Sequence, residues 1–325
     1  MSPIIRRLAV MTSGGDAPGM NPCIRAVVRT AIARNLEVWG VEDGYEGLIN
    51  GNFIRLGARD VSGILQKGGT ILRSARSEQM MQPSGQIEAV RQLNSQGIDA
   101  AVIIGGDGSL RGAKVLAERG MAVMGIPASI DNDIYGTDMC IGVDTALNTI
   151  VEAIDKIRDT ASSHSRAFLV ETIGRNSGYL ALMAGINSGA EMVLIPEVPT
   201  TVDEIINTVK LDYQKGKQHC IIVVAEGFEP DTNELARIIN EKDVGFRAWV
   251  TILGHLQRGG TPSAFDRWLA TRFGVRAVEF LLDGQRGMMT ALNGNRVVTV
   301  PLQEVVSQRK ETPTRFYEIA EILAR

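Results

Sequence analysis

A chain of 325 residues, 44% hydrophobic and 22% charged, carries enough apolar surface for two cores and excludes a disordered or fibrous protein. A net charge of −3 gives no general attraction to nucleic acid or acidic membrane surfaces, so a bound anion must be caught by local cations. Cys23, Cys140 and Cys220 are scattered without metal-ligand spacing and read as reduced thiols, and no apolar run reaches the roughly 18 residues of a membrane span. The opening "MSPIIRRLAV" enters a strand with no secretory leader, so a cytoplasmic enzyme is expected.

Taken in chain order, "LAVMTS" (8–13) predicts a buried strand, and "TSGGDAPGMNPCIRAVVR" (12–29) a strand, turn and helix with Asn21 as N-cap and Pro22 at the first helical position. "LEVWGV" (36–41) and "DAAVIIG" (99–105) predict further strands, the latter running through "IIGGDGSLRGAKVL" (103–116) into a helix. "MAVMGI" (121–126) is a strand stopped by Pro127, and "GIPASIDNDIYGTD" (125–138) then crowds Asp131, Asp133 and Asp138 past its end. Leu147, Ile150, Val151, Ile154 and Ile157 recur at helical spacing and predict a helix over 144–163, a candidate crossing point between domains. "AFLVETI" (167–173), "MVLIPE" (192–197), "CIIVVAEG" (220–227) and "WVTILG" (249–254) continue the strands. This alternation predicts an α/β fold of parallel sheets covered by helices on both faces.

Ligands of such sheets gather beyond the carboxyl ends of the strands, where the glycine-rich and acidic segments lie. Backbone N–H groups of a glycine turn, aimed with a helix N-terminus, cradle an anion. "GGDGS" alone is as well explained by a structural turn, and it lacks both the Walker and the G-x-G-x-x-G spacing. Its Asp107 is the oddity. A carboxylate beside phosphate makes sense when Mg²⁺ lies between them, which favours a metal–nucleotide complex. On the same logic one carboxylate of "IDND" serves the metal region and another takes a proton from a hydroxyl nucleophile, although Asp and Asn also favour a plain capped turn. Arg175 in "GRNSG" (174–178), His255 and Arg258 in "GHLQRGG" (254–260) and Glu226 at the end of "CIIVVAEG" stand at further strand exits, as anion and sugar-hydroxyl partners. Arg25 and Arg29, four apart on one helix, and the run Lys215, Lys217, His219 suit either solvated surface or a second anion site.

These segments, with "GVDTALNTI", "IDKIRDTASSHSR", "GRNSGYLAL", "GAEMVLIPE" and "VVAEG", occur in the order and spacing of the bacterial type of ATP-dependent 6-phosphofructokinase, which the chain closely resembles over nearly its whole length. The resemblance implies two domains, each a mostly parallel sheet flanked by helices, with the active site in the cleft between them. Residues 1–142 plus 257–305 would bind the nucleotide and 143–256 plus 306–325 the sugar phosphate. It also implies transfer of the γ-phosphoryl group of Mg²⁺-ATP to fructose 6-phosphate. Asp131 would be the base for the sugar 1-hydroxyl, Asp107 the Mg²⁺ carboxylate, and Asp133 an organiser of the metal and its water. Gly15, Arg76, Ser77, Gly106, Gly108 and Ser109 match nucleotide-binding positions. Ser129, Arg166, Ile173, Gly174, Arg175, Glu226, His255 and Arg258 match sugar-phosphate positions, Arg166 being lent by a neighbouring subunit of a homotetramer and Arg175 also steadying the transferring group. Arg25, Arg29, Arg158, Gly189, Glu191, Lys215, Lys217 and His219 match an effector site for ADP or phosphoenolpyruvate.

The chain departs from the pattern at Trp249, where relatives place an arginine that contacts the sugar 6-phosphate across the subunit interface. The nearest arginine, Arg247, lies two residues back, on the same face of a strand but roughly 7 Å away. Weaker affinity for fructose 6-phosphate, or a different acceptor sugar, is the expectation. Ala128 and Ser129 replace a usual Gly and Thr, and Ser129 keeps the hydroxyl. Pyrophosphate-dependent relatives carry Asp where this chain has Gly108 and Lys where it has Ala128, so ATP is favoured. Kinases of NAD or lipids share the GGDG turn without "IDND" or "GHLQRGG", and a silent regulatory subunit would not need Asp107, Asp131 and Arg175.

Overall fold

The computed structural model describes residues 5–324. The chain divides into two compact units, Met1–Thr145 with Arg258–Lys310, and Ala146–Gln257 with Glu311–Arg325. The first unit opens with β1 (Arg7–Ser13), α1 (Met20–Ala33), β2 (Glu37–Val41), α2 (Gly44–Asn50), β3 (Phe53–Leu56) and α3 (Pro83–Ser95). It continues with β4 (Ala100–Gly105), α4 (Asp107–Glu118) and β5 (Ala122–Pro127). The division then falls in the first turn of α5 (Val143–His164). The second unit follows as β6 (Arg166–Thr172), α6 (Tyr179–Ser188), β7 (Met192–Leu194), α7 (Val202–Gln214), β8 (Cys220–Ala225), α8 (Thr232–Glu241) and β9 (Arg247–Ile252). The chain returns to the first unit through α9 (Ala264–Leu282), β10 (Met288–Asn293), β11 (Arg296–Pro301) and α10 (Leu302–Ser307), and ends in the second as α11 (Tyr317–Ala324).

The sheet of the first unit has the order β11-β10-β5-β4-β1-β2-β3, parallel except for the antiparallel edges β3 and β11. Ser13 on β1 pairs with Gly105 on β4, which pairs with Pro127 on β5, so these central strands end side by side. Both β4 and β5 are buried at every position, as unbroken apolar runs require when helices cover both faces. Helices α1 and α9 pack backbone to backbone at Gly274, where a Cβ would stand 2.8 Å from the carbonyl oxygen of Cys23. The sheet of the second unit, β7-β8-β6-β9, is parallel throughout. Leu169, Ile205, Val209, Ile222, Leu235 and Ile239 form much of its core. Each such side chain contributes about 1.5–3 kcal/mol when removed from water.

Several elements differ from expectation for local reasons. The strand expected at 192–197 stops at Leu194, just before Pro196, which has no N–H to give a ladder. The strand expected at 249–254 begins earlier, at Arg247, and ends before Gly254, whose φ is +50°. Asn21 does not cap α1. Gly19 holds that position, and the Asn21 side chain donates to the carbonyls of Lys67 and Gly68 and accepts from the Ile71 N–H at 2.8 Å, tethering the loop before Arg76. Helix α5, the expected crossing point, starts on an anchor from α9: the buried Asp266 accepts from the Gly142 and Thr145 N–H groups and the Thr145 hydroxyl.

Candidate active site

The adjacent ends of β1, β4 and β5 deliver three loops to one edge of the first unit's sheet. The first runs through Gly14, held at φ +82° and fixed by the Ser74 hydroxyl donating to its carbonyl at 2.6 Å. A Cβ on Gly15 would stand 2.8 Å from Nη1 of Arg258, which donates to the Asp16 carbonyl at 3.4 Å. Arg258 therefore belongs to the first unit, beside the glycine loop, whereas most of the residues expected to hold a sugar phosphate belong to the second.

At the second loop Gly106 caps α4 without any side-chain hydrogen bond, leaving its first-turn N–H groups to an outside acceptor. Glycine is demanded at 105, where a Cβ would fall 2.4 Å from the Ser13 carbonyl oxygen. Beside Gly108 a Cβ would meet nothing within 4 Å, so space opens in front of the turn. Ser109 is buried, and its carbonyl accepts from the Tyr45 hydroxyl at 2.7 Å. Asp107, the first residue of α4, is paired with Arg111 at 2.9 Å and stays partly exposed.

The third loop holds the carboxylates. Asn132 sits at φ +50°, its amide donating to the Asp138 carbonyl and its side-chain oxygen accepting from the Cys140 N–H. That brace presents Asp131 and Asp133 on either side of it. Asp131 is buried to 9% exposure, and Asp133 accepts from the Ser129 hydroxyl at 2.8 Å. Asp138 has a different role. Its carboxylate accepts from the Gly294 N–H in the turn between β10 and β11, its carbonyl from Lys310 Nζ at 2.7 Å, and its N–H donates to the Leu292 carbonyl. Two of the three crowded acids are presented and the third ties their loop down. Of the remaining positions expected to meet a nucleotide, Arg76 is exposed and the Ser77 hydroxyl accepts from the Met80 N–H at 3.3 Å.

In the second unit, β6 and β8 end together, Thr172 pairing with Ala225. Beyond them Glu226 accepts from the N–H groups of Gly174 and Arg175, so one of its carboxylate oxygens shapes the loop that carries Arg175. This bracing was not foreseen from sequence. Arg175 sits at φ +52° with its side chain exposed. The Ile173 N–H donates to the buried Gln257, which leaves its neighbour His255 exposed.

The expected effector residues of this unit partly converge. Arg158 donates to the carbonyls of Ser188 and Gly189 and meets His219 Nε2 at 3.1 Å. The other ring nitrogen, Nδ1, faces the Ser162 hydroxyl at 2.9 Å. Lys217 lies 3.1 Å from Asp212 and 3.9 Å from Glu191. Lys215 ends α7 without joining this network, and Arg25 and Arg29 lie on α1 in the first unit.

Among the described residues no three His, Cys, Asp or Glu side chains converge as a metal cage. A cation carried in on phosphate needs only one or two protein carboxylates. The accessible Asp107, next to a helix terminus open to an anion, fits that kind of Mg²⁺. Among the same residues no helix is long and apolar enough to cross a membrane.

A family model described as phosphofructokinase matches residues 7–281. An ATP-dependent 6-phosphofructokinase of Thermotoga neapolitana is 52% identical over 321 residues, covering 98% of this chain and 100% of that protein. Its counterpart in Brevibacillus brevis is 47% identical over 320 residues, with the same coverage. The T-state phosphofructokinase of Pichia pastoris superposes with a TM-score of 0.89 at 37% identity, over 99% of this chain and 37% of that one. A pyrophosphate-dependent phosphofructokinase of Marinobacter aquaeolei, 22% identical over 96% of this chain and 86% of that one, shares the fold with a TM-score of 0.85.

Proposed function

Since the chain belongs to the phosphofructokinase family, we propose that it transfers the γ-phosphoryl group of ATP to the 1-hydroxyl of fructose 6-phosphate, giving fructose 1,6-bisphosphate and ADP. ATP is preferred to pyrophosphate as donor, because the relatives near half identity over full length are the ATP-dependent ones. The observation that carries the assignment of roles is the common ending of β1, β4 and β5, which sets an uncapped helix terminus beside a nearly buried carboxylate.

Gly15, Arg76, Ser77 and the 106–109 turn receive the nucleotide. Asp131 takes the proton of the 1-hydroxyl as its oxygen bonds to the γ-phosphorus and the bond to the β-phosphate oxygen breaks. Arg175 offsets charge on the group in transit. Ser129, Arg166, Ile173, Gly174, Glu226, His255 and Arg258 hold the sugar phosphate. Asp107 would hold Mg²⁺, with Asp133 ordering its surroundings, and the bound ion would neutralise charge on the phosphates. The cluster of Arg158, Gly189, Glu191, Lys217 and His219, with Arg25, Arg29 and Lys215, is the candidate site for ADP or phosphoenolpyruvate as effectors. A cytoplasmic homotetramer is the expected working form.

A coupled assay of ATP against pyrophosphate across several sugar phosphates tests this. Turnover with ATP and fructose 6-phosphate is expected. Equal turnover with pyrophosphate, or a preference for another sugar phosphate, would overturn it. Sedimentation of the purified chain tests the tetramer, and binding of ADP to Arg158→Ala the effector site.

A further inference from the structure

Strand β9 carries an arrangement that the roles assigned above leave unexplained. Arg166 on β6 pairs in register with Arg247 on the edge strand β9, and Trp249 follows on the same face of β9. The alternate residues Ala167 and Ala248 point the other way, into the core of the second unit. The guanidinium carbon of Arg166 lies 4.7 Å from the centroid of the Trp249 ring, and that of Arg247 lies 5.5 Å from it. Both fall within the roughly 6 Å over which an aromatic face attracts a cation. Among the described residues neither arginine forms an ion pair or a side-chain hydrogen bond, and Trp249 is 41% exposed.

A carboxylate partner would have neutralised these charges. An indole face holds a guanidinium by its quadrupole and leaves the charge and the N–H fork unspent. Two cations drawn onto one ring repel each other. The arrangement is completed by an anion with enough oxygens to accept from both forks, which describes a phosphate monoester.

We propose that Trp249 is a positioning residue that gathers Arg166 and Arg247 into a clamp for a phosphate monoester, Arg247 supplying the cation that the indole lacks. The inference rests on the reading of Arg166 as a contact of the sugar 6-phosphate, and it replaces the expectation that Trp249 leaves that phosphate short of a cation. Trp249 thereby becomes a determinant of affinity rather than a loss.

The test combines kinetics with binding. In the full chain, Arg247→Ala raises the KM for fructose 6-phosphate about tenfold or more, the loss expected for one charge-assisted contact, and leaves the KM for ATP unchanged. Trp249→Leu acts in the same direction, and Trp249→Phe, which keeps an aromatic face, restores most of the affinity. Independently of turnover, Trp249 fluorescence is followed in a chain with Trp39→Phe and Trp268→Phe during titration with inorganic phosphate. A saturable change that weakens about tenfold on adding Arg247→Ala supports the clamp. An unchanged KM in Arg247→Ala, or no response of Trp249 to phosphate, overturns it. So does Trp249→Leu altering only the oligomeric state, which would make the indole interface packing. Absence of any turnover with fructose 6-phosphate would fail the functional reading, and the phosphate titration would still decide the clamp.

Discussion

Asp131 and Asp138 share one loop, and their surroundings separate their work. Asp131→Asn keeps the size of the side chain and removes the proton acceptor, so kcat should fall by at least ~10²-fold with modest change in either KM. Asp138 instead accepts from the Gly294 N–H at the surface. Its replacement by Ala should cost roughly 1 kcal/mol of stability while kcat falls far less than in Asp131→Asn. Steady-state kinetics and denaturant melts on the two variants separate the roles, and equal losses of kcat would contradict the division. Asp107→Ala should raise the Mg²⁺ concentration needed for half-maximal rate. A variant altered only in stability would reduce Asp107 to a helix-terminal residue.

Among the elements, the start of α5 carries a pH dependence. Burial pushes the Asp266 carboxyl up to about 6 against the hydrogen bonds from Thr145 and Gly142, which favour its ionised form. Between its ordinary value near 3.8 and about 6 the folded chain keeps a proton that the unfolded chain releases, so this group's contribution to stability falls as pH rises through that window. The fall is on the order of 3 kcal/mol at most. Between pH 4 and 6 the denaturant midpoint of the native chain should fall relative to that of Asp266→Asn, which lacks this titration, and identical pH slopes for the two would contradict it. Helix α7 gives a simpler case. Thr201 and Glu204 form a capping box, and Thr201→Ala should cost about 1 kcal/mol. The box is a short-range pattern, T-x-x-E, and so is readable in the sequence, as were the apolar runs of β1, β4, β5, β6 and β8 and the glycine turns after them. What was not legible depended on distant partners. Asn21 looked like a cap, yet it bonds to a loop more than forty residues on. Glu226 looked like a sugar contact, and it also supports the backbone of Arg175. The β10–β11 hairpin was not among the expected strands; β11 is only half-buried, and β10 takes its place by pairing with β5.

Across the whole molecule, each unit has its own sheet and core, and each hides its thiols. Cys23 and Cys140 are buried in the first unit and Cys220 in the second. Burial raises all three above the ordinary thiol range, Cys140 to about 12. Only the thiolate is nucleophilic, so the folded chain should resist an aromatic disulfide reagent, and modification should wait for local or global opening. The three sulfurs then act as clocks, two timing the first unit and one the second. Mass-resolved labelling in mild denaturant should show ATP slowing the tagging of Cys23 and Cys140, and fructose 6-phosphate slowing that of Cys220. Immediate tagging in buffer alone would mean that these side chains are not sealed. A shared rate for all three would mean that the two units open as one.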